Sequence, residues 1–421
     1  MTADLHKDSL VVGGGIGGLA AALALAQRGR TVHVIERAHE FGEIGAGLQL
    51  GPNAMRCLDR LGILKEVTED AVFPRQLLMM DALSGQPITA VETGEVFRSR
   101  YGYRYGVMHR SDLHGHLLRA CSAHPSITME TNRMAIDVID DGDSARVVCK
   151  DGSIYHAGLL IGADGLHSRV RHLFEAAQPP ICQEYVAFRG TVKTTDLTEV
   201  AGIDSMVGWV GPEMHLVQYP VRRGDLFNQV AVFRSPGYRP DTEDWGTAEE
   251  LVAKFSSLHP LVANALSGIS KERRWTMYDR PPLDKIVRGH IVLVGDAAHP
   301  MLQYLAQGAC QALEDAIGLA EMLDRYDTIE TGLAAFQEAR LAHTARVQLT
   351  ARFFGQIAHA SGVTALFRNS ILAQRDPTDY RHFDWMYGAD PFTPNAAEDA
   401  RLVDWLSLFE ATGSAAIPYP G

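Results

Sequence analysis

The sequence predicts an α/β fold in which a β-rich segment interrupts a parallel sheet and a helical region follows at the C-terminus. Three observations support this prediction. The N-terminus has the order strand, glycine-rich turn, helix, strand. Two later apolar runs, 159–161 and 291–294, each lead into a turn made of Gly and Asp. Between them, residues 184–234 have a strand-like pattern with turn signals at Gly211-Pro212 and Gly224-Asp225.

Composition narrows the class of protein. The 421 residues contain 39 Lys and Arg against 51 Asp and Glu, a net charge of −12, and the length predicts two or three domains. The acidic balance argues against nucleic acid as a partner, because phosphates require a basic surface. Five cysteines without a CxxC pair predict reduced thiols in a cytoplasmic protein. We expect neither a signal peptide nor a membrane helix, since residues 1–9 carry both charges and the apolar runs are short.

The individual elements follow from local signals. Residues 10–12 are expected to form a buried strand, 19–28 a helix that Gly29 ends, and 31–35 a second strand. A further helix is expected from about 308 to 323. The segments MHLVQYPV and LFNQVAVF flank a turn and are expected to form a hairpin. Residues after about 331 are expected to be helical.

The glycine-rich turn carries a specific motif. Gly13, Gly15 and Gly18 match G-x-G-x-x-G between a strand and a helix. The first glycine allows a tight turn, the second lets a pyrophosphate approach the helix N-terminus, and the third lets helix and strand pack closely. Glu36 ends the second strand, where an acid can accept a hydrogen bond from a ribose hydroxyl and would repel a 2′-phosphate. The complete unit predicts a dinucleotide site.

Three motifs together resemble those of the class A flavoprotein aromatic hydroxylases, the family that includes para-hydroxybenzoate hydroxylase and salicylate hydroxylase. They are the glycine motif with Glu36-Arg37, GADGLHSRVR at 162–171 and GDAAHP at 295–300. The resemblance extends to about residue 375. It implies a Rossmann-type FAD-binding domain (1–72, 102–177 and 283–330), an inserted β-sheet substrate domain (73–101 and 178–282) and a helical C-terminal region with a tail (331–421).

The resemblance also implies a cofactor and its contacts. FAD would be bound tightly but not covalently, with NADH or NADPH as a transient co-substrate and O₂ as the oxidant. The positions that match family residues near FAD are Gly13, Gly15, Ile16, Gly18, Glu36, Arg37, Gly47, Leu48, Arg110, Asp164, Asp296, Pro300 and Gly308. Cys310 departs from the family pattern, in which Asn is common, so the contact with the flavin pyrimidine edge would come from the backbone.

Strand geometry suggests where a substrate would bind. Residues two apart on a strand share a face, so His215, Val217 and Tyr219 point the same way. His215 and Tyr219 are about 13 Å apart along the strand, at about 3.3 Å per residue. These side chains either bracket a small planar substrate or form the solvent-facing side of a sheet, and the pattern alone leaves both open.

Within the family, HLVQYP and LQYLA at 302–306 resemble the 3-hydroxybenzoate 6-hydroxylases. This implies catalytic roles for His215, Tyr219 and Gln303 and pocket positions for Tyr105 and Val217. For Tyr105, packing in an aromatic core is the alternative. In this family NADH reduces FAD, and O₂ forms a C4a-hydroperoxide with an electrophilic distal oxygen. A phenolate attacks that oxygen better than a phenol, so a base is required, and His215, with an ordinary pKa near 6.5, is the candidate.

The implied activity is hydroxylation of 3-hydroxybenzoate para to its hydroxyl, which gives gentisate. Salicylate 1-hydroxylation with decarboxylation is the nearest alternative, followed by another phenolic or heteroaromatic acid. Alternatives from other classes are a flavoprotein reductase or oxidase without oxygen insertion, and a flavin-binding regulatory protein without turnover. The predicted partners are a small aromatic acid and a second copy in a homodimer, with no nucleic acid.

Metal and hydrolase chemistry are not expected. The best histidine cluster, DLHGH at 112–116, lacks metal-ligand spacing, and neither HExxH nor GxSxG occurs. Ser111 or Asp112 is expected to cap a helix there, with His114 and His116 on different faces.

Overall fold

A computed structural model describes residues 4–42, 45–175, 179–197, 199–240, 242 and 244–388. It confirms the predicted α/β fold, with a mostly parallel sheet covered by helices, a second sheet and a helical C-terminal region. The predicted tail lies largely outside the described residues, and the domain boundaries stay a prediction.

The strands are β1 (Asp4–Val12), β2 (Val32–Ile35), β3 (Gly47–Leu50), β4 (Gln76–Asp81), β5 (Pro87–Glu92), β6 (Gly106–His109), β7 (Ile127–Glu130), β8 (Ala135–Asp140), β9 (Ala145–Cys149), β10 (Ile154–Gly162), β11 (Ile181–Lys193), β12 (Met206–Gly211), β13 (Met214–Val221), β14 (Leu226–Arg234), β15 (Arg274–Asp279), β16 (Val287–Arg288) and β17 (Ile291–Leu293). The α-helices are α1 (Ile16–Gln27), α2 (Pro52–Arg60), α3 (Leu64–Asp70), α4 (Glu95–Tyr101), α5 (Arg110–Ala123), α6 (Ala248–Phe255), α7 (Pro260–Asn264), α8 (Gly308–Arg325), α9 (Ile329–Ala358), α10 (Gly362–Leu372) and α11 (Asp384–Tyr387).

The first sheet has eight strands, of which β17, β10, β1, β2 and β7 run parallel as neighbours in that order. Strand β1 is longer than predicted because it pairs with β10 along its whole length. Helix α1 begins at Ile16, before the predicted start, since Gly15 caps it inside the glycine-rich turn. The carboxyl ends of parallel strands meet at one edge, so the turns after these strands come together there.

The second sheet has seven strands in the order β15-β11-β14-β13-β12-β4-β5. The predicted hairpin is confirmed: β13 and β14 pair in antiparallel register from Met214–Phe233 to Val221–Leu226. One face of the sheet, which includes Leu216, packs under helix α6 at Leu251 and Phe255. The opposite face carries Val217, Val230 and Val232 and packs towards the first sheet's helices and loops.

Helices α9 and α10 confirm the helical region after residue 331, and α9 alone spans 30 residues. The aromatic segment that follows α10 packs on the body of the protein, since Tyr380 and Tyr387 contact the Phe97 ring. Within the described ranges, no helix combines the length and hydrophobicity needed to cross a membrane.

Candidate active site

A cleft of about 440 Å³ opens at the carboxyl ends of the parallel strands. Its walls come from the turns after β1, β10 and β17, the end of β2, and the N-termini of α5 and α8. Of the residues predicted for the cofactor, those that line it are Gly13, Gly15, Ile16, Glu36, Arg37, Arg110, Asp164, Asp296 and Gly308. Segments far apart in the chain thus meet at one concave site of ligand size.

The glycine turn is shaped by close backbone contacts. Gly13 has φ +111°, and a Cβ there would lie 2.3 Å from the Ala163 carbonyl oxygen. A Cβ on Gly18 would lie 1.9 Å from the carbonyl oxygen of Gly13. Helix α1 starts directly behind this turn without a side-chain cap or an acidic residue in its first turn. Its N–H groups are therefore available to an anion such as a pyrophosphate.

Glu36 lies half-buried at the rim of the cleft. Its carboxylate accepts hydrogen bonds from the Gly14 and Ala38 backbone N–H groups, at 2.8 and 2.9 Å. A carboxylate can accept about four hydrogen bonds, so Glu36 can still accept one from a ribose hydroxyl.

Asp164 presents an unsatisfied oxygen. Its Oδ2 accepts from the backbone N–H of Arg169 at 2.6 Å, whereas Oδ1 is buried without a hydrogen-bond partner. Burial raises the pKa of this carboxyl above its usual range. A buried acceptor without a donor is costly, and a hydroxyl donor brought by a ligand would satisfy it.

Four predicted cofactor residues do not line the cleft itself. Gly18 packs behind the turn, and the backbone carbonyl of Pro300 accepts a hydrogen bond from the Gln348 side chain. Gly47 and Leu48 lie on β3, which pairs with β6 beside the second sheet. The backbone N–H of Gly47 donates to Asn228 Oδ1 at 2.7 Å, so this strand joins the two halves of the site.

Sequence reasoning missed a charged cluster behind the cleft, which we call the Arg340 cluster and define as Arg340, Glu314, Asp315 and His299. Arg340 donates to Glu314 at 2.6 Å and to Asp315 at 2.8 Å. Asp315 also accepts from the Gly295 N–H and bonds His299, which fixes the GDAAHP turn. Burial alone would raise the pKa of Asp315, but His299 and Arg340 hold it well below its usual range. Two adjacent acids within the otherwise apolar stretch 312–320 of helix α8 were the available signal.

The face of β13 that carries His215, Val217 and Tyr219 is buried, so the solvent-facing alternative is wrong. Only 5 % of His215 and 2 % of Tyr219 remain exposed, and Val217 is half-buried. The face is covered by β3 and by the segment that contains Gln303.

His215 is paired with a second histidine that the sequence did not indicate. Its Nδ1 lies 2.8 Å from His359 Nε2, and the two ring planes are inclined by 20°. His359 lies at the end of α9, more than a hundred residues away in the chain. Burial lowers the pKa of His215 to about 3, so the ordinary value expected from the sequence does not hold in the folded protein.

Tyr219 and Gln303 flank the same space. A Cβ on Gly47 would lie 2.4 Å from the Tyr219 ring, so only glycine lets β3 approach it. Burial raises the pKa of Tyr219, and nearby Arg189 lowers it in part. Gln303 Oε1 accepts from Arg189 Nη2 at 3.4 Å, a long hydrogen bond. Arg189 is a second residue that the sequence analysis did not single out.

Tyr105 is buried in an aromatic cluster beside Phe97 and Tyr387. Its hydroxyl donates a hydrogen bond to Gln49 on β3. These contacts show that Tyr105 packs in the aromatic cluster, and its role in a substrate pocket stays a prediction.

Cys310 lies in the first turn of α8. Its thiol faces the backbone carbonyls of Gln49 and Ala306.

The cap of α5 differs from the prediction. Helix α5 begins at Arg110 and His109 is its N-cap, because the His109 ring accepts from the Ser111 N–H. His114 and His116 do diverge, and they bond the Gly14 carbonyl and Asp70 respectively. Among the described residues, no group of three or more potential metal ligands occurs.

The cleft fits FAD on two structural grounds. The glycine cradle leaves no room for side chains but exposes helix N–H groups to a pyrophosphate, and Asp164 Oδ1 awaits a donor. The comparisons with known proteins agree. A family model described as "FAD binding domain" matches residues 6–350.

Relatives and solved structures extend this match to almost the whole chain. A 3-hydroxybenzoate 6-hydroxylase from Klebsiella oxytoca is 39% identical over 386 residues, 90% of this chain and 96% of the relative. The crystal structure of Klebsiella pneumoniae HpxO with FAD and uric acid is 26% identical, with a TM-score of 0.78 over 91% of this chain and 96% of that one. A salicylate hydroxylase substrate complex is 25% identical, with a TM-score of 0.75 over 95% of this chain and 98% of that one. This chain therefore belongs to the family of FAD-dependent aromatic hydroxylases.

Proposed function

We propose that this enzyme hydroxylates 3-hydroxybenzoate para to its hydroxyl group. The balanced reaction is 3-hydroxybenzoate + NADH + H⁺ + O₂ → gentisate (2,5-dihydroxybenzoate) + NAD⁺ + H₂O. The observation that carries the proposal is that His215 and Tyr219 are buried on one face of β13, and that Gln303 contacts Arg189, which lies on the same face of the sheet. The similarity to 3-hydroxybenzoate 6-hydroxylases supports the choice of substrate.

When bound, FAD transfers electrons from NADH to O₂ and supplies an electrophilic oxygen atom. The glycine turn and the N-terminus of α1 would hold its pyrophosphate, and Glu36 its adenosine ribose. Asp164 and Asp296 would accept from ribityl or ribose hydroxyls. Gly308, at the start of α8, would face the pyrimidine edge, where a helix N-terminus favours negative charge.

The His215 and His359 pair can accept a hydrogen bond from the substrate's phenol. We assign the shared proton to His215 Nδ1, which donates to His359 Nε2 and leaves His215 Nε2 as an acceptor. Burial lowers both pKa values, so neither ring is charged at neutral pH. The phenol donates a hydrogen bond to His215 Nε2, which draws its proton away without a full transfer, because the low pKa values of both rings disfavour the charged form. Partial transfer makes the ring of the substrate more electron-rich.

The buried setting also serves the chemistry, because water at the oxidising centre would release hydrogen peroxide instead of product. The Tyr219 ring lies tightly against Gly47, and Tyr105 and Tyr387 add an apolar wall beside it. These contacts would exclude water from the substrate face.

Product analysis under air with purified protein, NADH and 3-hydroxybenzoate tests the proposal. We expect gentisate in proportion to the NADH consumed. NADH consumption that yields only peroxide would contradict the substrate, and bound FAD without NADH oxidation would favour a regulatory protein. A flavoprotein reductase or oxidase would oxidise NADH, but it would form no hydroxylated product from any aromatic acid.

Salicylate hydroxylation is the second candidate, because a salicylate hydroxylase complex shares the fold over 95% of this chain. Catechol and CO₂ from salicylate, with no gentisate from 3-hydroxybenzoate, would favour it.

We also propose that the enzyme acts as a homodimer in the cytoplasm. Helix α10 exposes four apolar side chains, Val363, Leu366, Phe367 and Ile371, each more than half exposed, which a second copy would cover. All five cysteines are free thiols, in keeping with a reducing compartment. Light scattering of Leu366→Lys against wild type tests the dimer, and an unchanged mass would contradict this interface.

A further inference from the structure

Arg189 lies on the same face of the second sheet as the proposed substrate residues. On β11 it pairs with Val230 of β14, which in turn pairs with Val217 of β13. Directly paired residues of antiparallel strands project to the same face of the sheet. Arg189 therefore lies level with Val217 across the strands, at a position between those of His215 and Tyr219. Sequence reasoning named the residues of β13 but not this one, two strands away.

The guanidinium of Arg189 has few partners. Its Nη2 makes the long contact with Gln303, its Cζ lies 5.0 Å from the centre of the Trp275 ring, and its Nε is buried without a hydrogen-bond partner. Among the described residues, no carboxylate forms an ion pair with it. Burial, and then the charge of Arg110, lower the pKa of Arg189.

Several other buried or half-buried arginines of this protein are neutralised by acids, whereas Arg368, which forms no ion pair among the described residues, donates to the backbone carbonyls of Ile357 and Ala358 and to Asn369 Oδ1. Arg171 and Arg280 pair with Glu175, Arg340 pairs with Glu314 and Asp315, and Arg352 pairs with Asp279. A buried cation without a counter-ion is unfavourable, and a carboxylate is the group that a guanidinium fork binds best, with two parallel hydrogen bonds. The unpaired state of Arg189 therefore indicates an anion that arrives with a ligand.

We propose that Arg189 binds the carboxylate of the aromatic acid and thereby makes the enzyme selective for acids over neutral phenols. The inference rests on the proposed function. With the carboxylate at Arg189 and Gln303, the ring lies over Val217 and Val230, and the phenolic hydroxyl points along the face towards His215. Arg189 thus fixes which ring carbon faces the flavin.

Binding measurements test this inference without turnover. The flavin absorbance change of the holoenzyme would report the Kd of 3-hydroxybenzoate and of uncharged 3-hydroxybenzamide. For Arg189→Gln we expect the Kd of the acid to rise by about 30-fold or more, which corresponds to about 2 kcal/mol for a buried charge partner. The Kd of the amide should change less than about threefold by the same reasoning, because the amide carries no charge.

Two further variants serve as controls. Arg189→Lys keeps the charge but not the fork, so acid affinity should be intermediate. Arg273→Gln removes an exposed charge 5.2 Å from the same Trp275 ring and should leave both Kd values unchanged. FAD content and melting temperature show that each variant is folded.

Equal losses for acid and amide in Arg189→Gln would overturn the inference. An altered flavin reduction potential with unchanged Kd values would also overturn it, since the anion at Arg189 would then be the reduced flavin. If wild type hydroxylates salicylate instead, the proposed function fails, and the same comparison with salicylate and salicylamide still decides the role of Arg189.

Discussion

The Arg340 cluster behind the FAD cleft pairs opposite charges, whereas the histidine pair behind the substrate face carries no charge. Arg340 donates to two carboxylates within 2.8 Å, so its positive charge is compensated. Within the part of the chain that the structure describes, the rings of His215 and His359 contact each other and the aromatic rings of Tyr304 and Tyr185, and burial keeps both histidines neutral. The first arrangement suits a rigid support for a loop, and the second presents an uncharged ring nitrogen that can accept a hydrogen bond from a phenol.

His215→Ala should have the largest effect. Removal of a general base lowers hydroxylation about 10²- to 10⁴-fold. FAD content should persist, because His215 does not line the cleft. Gentisate formation and the absorbance of bound FAD check both statements. Loss of FAD with coupling of NADH to product intact would contradict the assignment.

Arg340→Met should break the charged cluster and leave Glu314 and Asp315 buried without their cation. We expect the free energy of unfolding to fall by about 3–5 kcal/mol, measured by denaturant titration. Arg381→Met is the matched control, because Arg381 pairs with Asp379 at the surface, and such pairs contribute about 1 kcal/mol or less. Equal losses in the two variants would show that the cluster has no special role.

Acid should destabilise the protein through its neutral histidines. Burial lowers the pKa of His215 and of His343 to about 3, whereas the unfolded chain binds their protons near 6.5. The unfolded state therefore holds more protons below pH 6.5, and stability falls as the pH falls towards 3. At pH 5 the cost is about 2 kcal/mol for each histidine.

Denaturant titrations between pH 7 and 4.5 measure this slope. In that window Asp315 of the Arg340 cluster stays ionised, because its pKa is held well below the usual range. His343→Leu should flatten the slope, and an unchanged slope would contradict the buried neutral state of His343.

His359→Gln should have the smallest effect. The amide oxygen can still accept from His215 Nδ1 and hold the same tautomer, so kcat should fall less than about threefold. His359→Leu leaves that N–H unsatisfied, at about 1–3 kcal/mol, and should lower kcat about tenfold and shift the pH profile. Identical pH profiles for both variants would rule out a positioning role.

The sequence predicted the cofactor-binding half of the site, but it predicted the substrate-binding half only in part. Gly13, Gly15 and Glu36 are close in sequence and belong to one β-α-β unit, so local spacing defines their geometry. The shared face of His215 and Tyr219 also followed from strand alternation. Arg189 and His359 did not follow, because strand order and the end of α9 bring them there.

The sequence by itself determined the α/β fold, the dinucleotide turn and the family, because these depend on local backbone conformation and on motifs with fixed spacing. Only the tertiary structure decided that the face of β13 is buried, that the pKa of His215 is low, and that Arg189 has no acidic partner among the described residues. Burial and pairing are properties of contacts between distant segments, and no pattern within one segment encodes them.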